Sequence, residues 1–165
     1  LTLAYNYNES EVTDFNPFVI NAQQRYNIAN LPPRHRVVAS ANWQVGNFTV
    51  NARGNYFSEW SNALEYNLAG PTPNAATATS APPAQIFGDK FLADLDISYT
   101  FAERFTLTLG ANNIFDTYPD RIQPSVINPV YASTGSIGDG QVYPRSGGPF
   151  GINGGFYYAR IRVTY

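Results

Sequence analysis

The sequence predicts an all-β fold: an antiparallel meander of about six strands that forms part of a transmembrane β-barrel. Three observations predict it. The first is the strict alternation of the final residues. Tyr157, Ala159, Ile161, Val163 and Tyr165 fall on one face of a strand, and Tyr158, Arg160, Arg162 and Thr164 fall on the other. A strand between lipid and a wet lumen needs this pattern, although the closing strand of a soluble sandwich alternates too. The second is that long loops and short turns follow each other along the whole chain, as short periplasmic turns and longer extracellular loops do in membrane barrels. The third is the placement of aromatics. Trp43, Phe48, Tyr99, Phe101, Phe105 and Tyr165 lie at the short-turn ends, and Tyr5, Tyr7, Tyr56 and Tyr157 at the long-loop ends. Small aliphatic residues separate these two girdles, an arrangement a soluble sandwich has no physical reason to adopt.

The elements follow in order. The first strand covers Leu1 to Asn8, with Leu1, Leu3, Tyr5 and Tyr7 on one face. A polar stretch from Glu9 to about Pro33 follows. The second strand, about Arg34 to Gln44, sets Val37, Ala39, Ala41 and Trp43 against Ser40, Asn42 and Gln44. Val45-Gly46-Asn47 has the Gly-Asn chemistry of a hairpin turn. The third strand, Phe48 to Phe57, sets Phe48, Val50, Ala52 and Tyr56 against Thr49, Asn51, Arg53 and Asn55. The second long loop runs from Ser58 to about Asp89, and its Pro-, Ala- and Thr-rich middle predicts a mobile segment without a core. The fourth strand, Phe91 to Phe101, places Phe91, Ala93, Leu95, Ile97, Tyr99 and Phe101 opposite Asp94, Asp96, Ser98 and Thr100. After the short turn Ala102-Glu103-Arg104, the fifth strand runs from Phe105 to about Phe115. The third long loop extends from Asp116 to about Gly155, before the closing strand.

Composition agrees with this reading. Of 165 residues only 13% are charged while 15% are aromatic, against about 25% charged in an ordinary soluble domain. The absence of Cys removes disulfides and thiolate metal sites. A net charge of -2 argues against nucleic acid as a partner. No run of about 18 apolar residues exists, so no helix is expected to cross a membrane. The chain has no Met and begins at Leu1 inside a strand pattern, which reads as a fragment lacking its N-terminal part. Six strands fall short of the roughly eight that the smallest membrane barrel needs, so that missing part is expected to supply more.

At Gly110-Ala111-Asn112-Asn113-Ile114-Phe115-Asp116-Thr117-Tyr118 the chain resembles the C-terminal region of TonB-dependent outer-membrane receptors. That family carries Asn-Leu-Phe-Asp, a short gap and Tyr at the top of the penultimate strand. It also ends on a strand with a terminal aromatic. Here Ile114 replaces Leu, and the gap before Tyr118 is one residue shorter. Tyr143-Pro144-Arg145, Pro149 to Gly154, and Leu31-Pro32-Pro33-Arg34-His35 are also similar to the family. The resemblance implies that residues 1–165 are the C-terminal portion of a 22-stranded barrel in the outer membrane of a Gram-negative bacterium, with the plug domain and N-terminal strands absent. It implies outer-membrane lipid and the barrel-assembly machinery as partners, with Ile161, Val163 and Tyr165 as the assembly signal. The TonB energy-coupling complex would act through the missing N-terminal part. In the motif itself, Asn113, Ile114, Phe115, Asp116 and Tyr118, a structural role in leaving the strand outweighs a ligand role, because Asn and Asp side chains bond nearby backbone.

Catalytic chemistry is not legible. His35 is the only histidine, which leaves no second histidine or thiolate for a metal site, and no Ser-His-Asp set is legible around it; it reads as a loop or rim residue. Asp94 and Asp96 suggest an acid pair or a calcium site, but two strand carboxylates are better expected to pair with Arg53, Arg160 or Arg162 on the lumen face. Gly147-Gly148-Pro149 lacks the Lys and Ser or Thr of a phosphate loop. The sequence therefore predicts neither enzyme nor cofactor. It predicts a receptor and transporter for a small-molecule ligand such as a metal chelate, an iron–siderophore complex or another scarce nutrient. A passive porin-like channel and a soluble β-sandwich binding module are the alternatives. Arg25, Tyr26, Trp60, Tyr66, Arg121, Tyr131 and Arg145 are candidate ligand contacts in the loops, since aromatic and Arg side chains stack on and pair with anionic ligands. For any single one, packing or solvation is the plainer role.

Overall fold

Alternating side chains give each strand one apolar and one polar face, and strands of this kind pair most simply with their neighbours in sequence. In the computed structural model, which describes residues 1–16, 19–20, 22–63, 84–123, 142–144 and 148–165, they do so. β1 (Thr2–Tyr7), β2 (His35–Val45) and β3 (Phe48–Phe57) come first. Helix α1 (Ala22–Asn30) lies between β1 and β2. The short β4 (Trp60–Ala63) and β5 (Ala84–Phe87) follow, then β6 (Lys90–Phe101), β7 (Phe105–Asn112) and β8 (Phe156–Val163). The main sheet has the order β1-β2-β3-β6-β7-β8, and β4 and β5 form a separate two-stranded sheet. All pairings are antiparallel. The sheet is open, with β1 and β8 as its edges.

The register keeps the two faces apart from edge to edge. One row runs Trp43, Val50, Ile97, Leu109, Ala159, and the next apolar row runs Val45, Phe48, Tyr99, Leu107, Ile161. Between them on the opposite face lie Gln44, Thr49, Ser98, Thr108 and Arg160. A slip of one residue in any pairing would mix these sets. The apolar face is open: Leu3 is 72%, Leu109 57% and Ile161 69% exposed. Among the described residues no second sheet packs on it.

The two aromatic bands are physical clusters. At the short-turn end Phe48 meets Tyr99 at 4.6 Å between ring centres, Tyr99 stacks near Phe101 at 6.4 Å, and Phe101 stacks on Phe105 at 5.5 Å. At the long-loop end Tyr5 and Tyr7 flank His35 at 6.1 and 5.3 Å, and Phe91 meets Phe115 at 6.4 Å.

Three sequence expectations are corrected. The polar stretch after β1 contains α1. The segment from Ser58 to Asp89 is not structureless at its ends, because β4 and β5 pair there; its middle, residues 64–83, lies outside the described residues. The fifth strand ends at Asn112 rather than near Phe115. Asn113 takes a positive φ of 51°, and Ile114 donates its N–H to Ala93 O at 2.8 Å, so the chain folds back over β6. Among the described residues the buried aromatic cluster sits at this long-loop end. Trp60 stacks on Phe87 at 5.5 Å, and Phe150 contacts both Trp60 and Phe57. Phe87 is fully buried and Trp60 nearly so.

Gly110 shows how tightly β7 and β8 fit. A methyl group there would meet Tyr158 Cζ at 2.3 Å, because the Tyr158 ring lies across its cross-strand partner. Gly110→Ala is expected to cost about 1–3 kcal/mol, the usual range for overpacking. Most of that loss should vanish when Tyr158→Ala is combined with it, as urea titration of both variants and the double variant will read.

Candidate functional site

Two polar regions carry the residues singled out from sequence. The first is the polar face of the sheet. Arg53, Asp94 and Asp96 line a groove of about 410 Å³ together with Asn42 and Asn51. Asp96 accepts a hydrogen bond from Asn51 Nδ2 at 3.0 Å, and Asn51 in turn is bonded to Asn42. Asp94 accepts the backbone N–H of Asn113 at 2.9 Å. Arg53 stands directly opposite Asp94 in the register, yet the expected ion pair is not made. Among the described residues no ion pair joins an arginine to Asp94 or Asp96; each carboxylate instead accepts an amide N–H on Oδ1. Arg160 and Arg162 share this face on the edge strand β8, opposite Thr108 and Thr106. Hydroxyl pairs Ser98–Thr108 at 2.8 Å and Thr100–Thr106 at 3.0 Å continue the polar lining toward the short turns.

The second region is the long-loop end, where side-chain amides imitate backbone. Asn27 on α1 donates to Ala63 O at 3.2 Å and accepts from Ala63 N–H at 2.8 Å. Gln85 donates to Arg121 O and accepts from Gln123 N–H, both at 2.8 Å. Asn113 donates to Thr117 O at 2.8 Å and accepts from Thr117 N–H at 2.9 Å. One amide offers one donor edge and one acceptor edge, so each of these clasps satisfies two backbone groups at once. They bind helix, hairpin and strand exits into one body.

The Asn113–Tyr118 motif is part of it. Asp116 accepts the N–H of Gly155 at 2.7 Å and a hydrogen bond from Tyr118, whose hydroxyl pKa is raised by that bond and by the charge of Asp116. Tyr118 stacks on Tyr143 at 5.5 Å, and Tyr157 donates to Ile114 O at 3.1 Å. The motif therefore joins β6, β7 and the entry to β8. Phe115 remains two-thirds exposed beside Phe91. Ile161, Val163 and Tyr165 are exposed at the sheet edge.

The candidate loop contacts separate. Arg25 lies over the ring of Phe15 at 4.0 Å. Tyr26 shares a hydrogen bond of 2.7 Å with Ser61. Trp60 is packed in the aromatic core, its indole N–H buried without a partner among the described residues. Tyr26 and Trp60 line one cavity, whereas Arg121 is held by Gln85 on the other hairpin strand. Tyr66, Tyr131 and Arg145 lie outside the described residues.

One ion pair was not foreseen: Lys90 at the start of β6 meets Asp120 at 2.7 Å, and Gly88 N–H donates to the same carboxylate at 2.7 Å. Burial works to raise the pKa of Asp120, but the Lys90 ammonium and the Gly88 amide outweigh it and hold the group below its ordinary 3.8. Its contribution is complete above pH 3.8 and is lost as pH falls through the lower folded value. With Asp120 42% exposed, solvent screening limits the contribution to about 1 kcal/mol or less. Unfolding free energies from urea titrations at neutral and strongly acidic pH should differ by that much more in the wild type than in Asp120→Asn. Equal differences would show that the pair does nothing for stability.

No protein-family profile, curated protein or solved structure matches this chain.

Proposed function

We propose that the six-stranded sheet is an arc of the β-barrel of a TonB-dependent outer-membrane receptor, one that takes up an iron–siderophore complex or another scarce nutrient. One observation carries the membrane part of this reading. The apolar face stays exposed across all six strands and is bounded by two aromatic bands. Phe91 and Phe101 mark the bands on β6 and stand ten residues apart. That is about 33 Å along a strand, and about 25 Å along the membrane normal at a tilt of about 40°, the height of a barrel's lipid-facing band. In water so much apolar surface would be a severe liability; in lipid it is the required exterior. The open edges of β1 and β8 would each leave a row of unpaired backbone in lipid at several kcal/mol per group, so further strands are expected to pair with them and close the wall.

The polar face then lines the lumen, with Arg53, Asp94, Asp96, Arg160 and Arg162 toward the transported solute. The transporter assignment rests on the resemblance at Asn113–Tyr118. A passive channel is the second reading, favoured by the arginines of the polar face that no described carboxylate neutralises, since such charges tune permeation. The full-length protein is expected to stay in carbonate-washed membranes, to need detergent for extraction, and to show heat-modifiable mobility. Labelled ferric-chelate uptake that collapses with the proton-motive force would support the receptor. Steady conductance in planar bilayers without energy coupling would favour the channel. Release as a soluble protein would sink both.

A further inference from the structure

The polar face carries one apolar feature that a wetted wall does not need. Phe156 and Tyr158 lie on that face, opposite Asn112 and Gly110 in the register, and their rings stack at 6.0 Å between centres. Phe156 is 62% exposed. The Tyr158 ring lies across Gly110, where an added methyl group would overlap it. Gly110 in turn stands opposite Asp96, Asp96 opposite Asn51, and Asn51 opposite Asn42. One row across β2, β3, β6, β7 and β8 therefore joins an aromatic shelf to a ladder of amides and a carboxylate. The shelf also borders the groove of about 410 Å³, since Asn112 lines the groove and pairs with Phe156. We infer that this row binds a sugar ring of a neutral oligosaccharide, a proposal that rests on the membrane reading above and names the class of solute in its lumen.

The ladder runs in one direction. The Asp96 carboxylate has no N–H to give, so Asn51 turns its Nδ2 toward it, 3.0 Å from Oδ1. The Oδ1 of Asn51 then accepts from Asn42 Nδ2. Acceptors are left at both ends, Asn42 Oδ1 and Asp96 Oδ2, and hydroxyl groups are suitable donors to them. The groove lining holds two carboxylates, Asp94 and Asp96, against one side-chain cation, Arg53. That balance opposes an anionic chelate and leaves a neutral polyol unaffected. A sugar ring presents C–H groups on its faces and hydroxyls at its rim. An aromatic face beside the C–H groups removes apolar surface from water and leaves the rim to the ladder. An apolar platform with a few placed polar groups is the make-up of a small-molecule site. The plainer role of Tyr158, covering the bare backbone of Gly110, needs neither the exposed ring of Phe156 nor an acceptor-rich row beside it.

The full-length protein in detergent is titrated calorimetrically with maltotriose, xylotriose and mannotriose. Heat-modifiable mobility confirms that each variant is folded. At least one trisaccharide should bind. Tyr158→Leu, which keeps an apolar cover over Gly110 but no aromatic face, should weaken binding about tenfold, the measure of one lost stacking contact. Tyr158→Phe keeps the ring and should stay within about twofold of wild type. Asp96→Asn should weaken binding about tenfold through loss of a charge-assisted hydrogen bond, and Arg104→Gln, in the short turn, should leave it unchanged. A folded wild type that binds none of the three sugars would overturn the site, as would undiminished binding in either Tyr158→Leu or Asp96→Asn. A ferric tris-catecholate is titrated in parallel. Binding of it that Tyr158→Leu weakens and Asp96→Asn strengthens would make an anionic chelate the occupant. Each of these results overturns the proposal while the barrel reading stands. A protein that needs no detergent would bring down both.

Discussion

Leu109→Arg should destabilise the folded protein by about 2–4 kcal/mol, the cost of an arginine on the lipid side near the bilayer midplane. Leu109 stands between Ile97 and Ala159 in the middle apolar row. Four residues separate it from Phe105 of the aromatic band, about 13 Å along the strand and about 10 Å in depth at the tilt assumed above. It is 57% exposed, with no carboxylate in its row. At nearly the same depth on the other face the register places Thr49 and the native Arg160. Thr49→Arg should therefore fall within about 0.5 kcal/mol of wild type, as for a wetted surface. Refolding into lipid bilayers over a urea series reads both variants. The pair separates a lipid environment from a wetted one. In a soluble protein Leu109 would be an exposed surface residue and its replacement by Arg would be neutral. Similar small changes in both variants would mean that the apolar face does not meet lipid.

The strands were legible because their information is local and periodic. Alternation in Phe48–Phe57 or Phe91–Phe101 names the face of every residue without knowledge of any partner, and the register then aligns the faces. Gly46 and Asn47 likewise carry the conformation of their turn, Gly46 at φ 54°. What was hidden depends on contacts distant in sequence. α1 has no apolar stripe in its sequence Ala22–Asn30. It is held by Tyr26 on Ser61 and by the Asn27 clasp on Ala63, some 35 residues away. An Asn or Gln in a polar loop reads as solvated until the backbone it clasps is known. β4 and β5 left a fainter trace. Trp60-Ser61-Asn62-Ala63 and Ala84-Gln85-Ile86-Phe87 each put one large aromatic at the hairpin base, and their pairing across the intervening Pro- and Ala-rich stretch was readable only as a pair. Trp60 was singled out from sequence as an aromatic available to a ligand. The structure uses it as the centre of the small core, the commoner fate of a tryptophan beside other aromatics. The acidic residues of β6 were placed on the correct face, but their partners were not. Asp94 serves the backbone of Asn113, which only the fold-back after β7 brings within reach.

That fold-back makes Gly154 the position where the smallest change should have the largest local effect. Gly154 has φ +67°, a conformation that costs a side-chain-bearing residue about 1–2 kcal/mol. A methyl group there would also lie 2.1 Å from the Tyr118 hydroxyl and 2.6 Å from Asp116 Oδ1. Those two groups cannot simply retreat. Tyr118 is stacked on Tyr143, and Asp116 holds the Gly155 N–H at 2.7 Å; giving up that bond costs about 1–3 kcal/mol more if the amide finds no other partner. Gly154→Val is therefore expected to lose about 2–5 kcal/mol in all. The loss should concentrate where the third loop joins β7 and β8. Limited proteolysis should nick near Gly154, while β1, β2 and β3 keep their hydrogen-exchange protection. Because Gly154 and Asp116 act through one contact, Asp116→Ala combined with Gly154→Val should cost at least 0.5 kcal/mol less than the two losses added, the mark of coupled neighbours. Gly151→Val supplies the comparison, since an added methyl group at Gly151 meets only Asn153 at 4.0 Å. If Gly151→Val and Gly154→Val were equally mild, the Asn113–Tyr118 segment would not be the clamp that fixes the closing strand, and the motif would be left without its structural role.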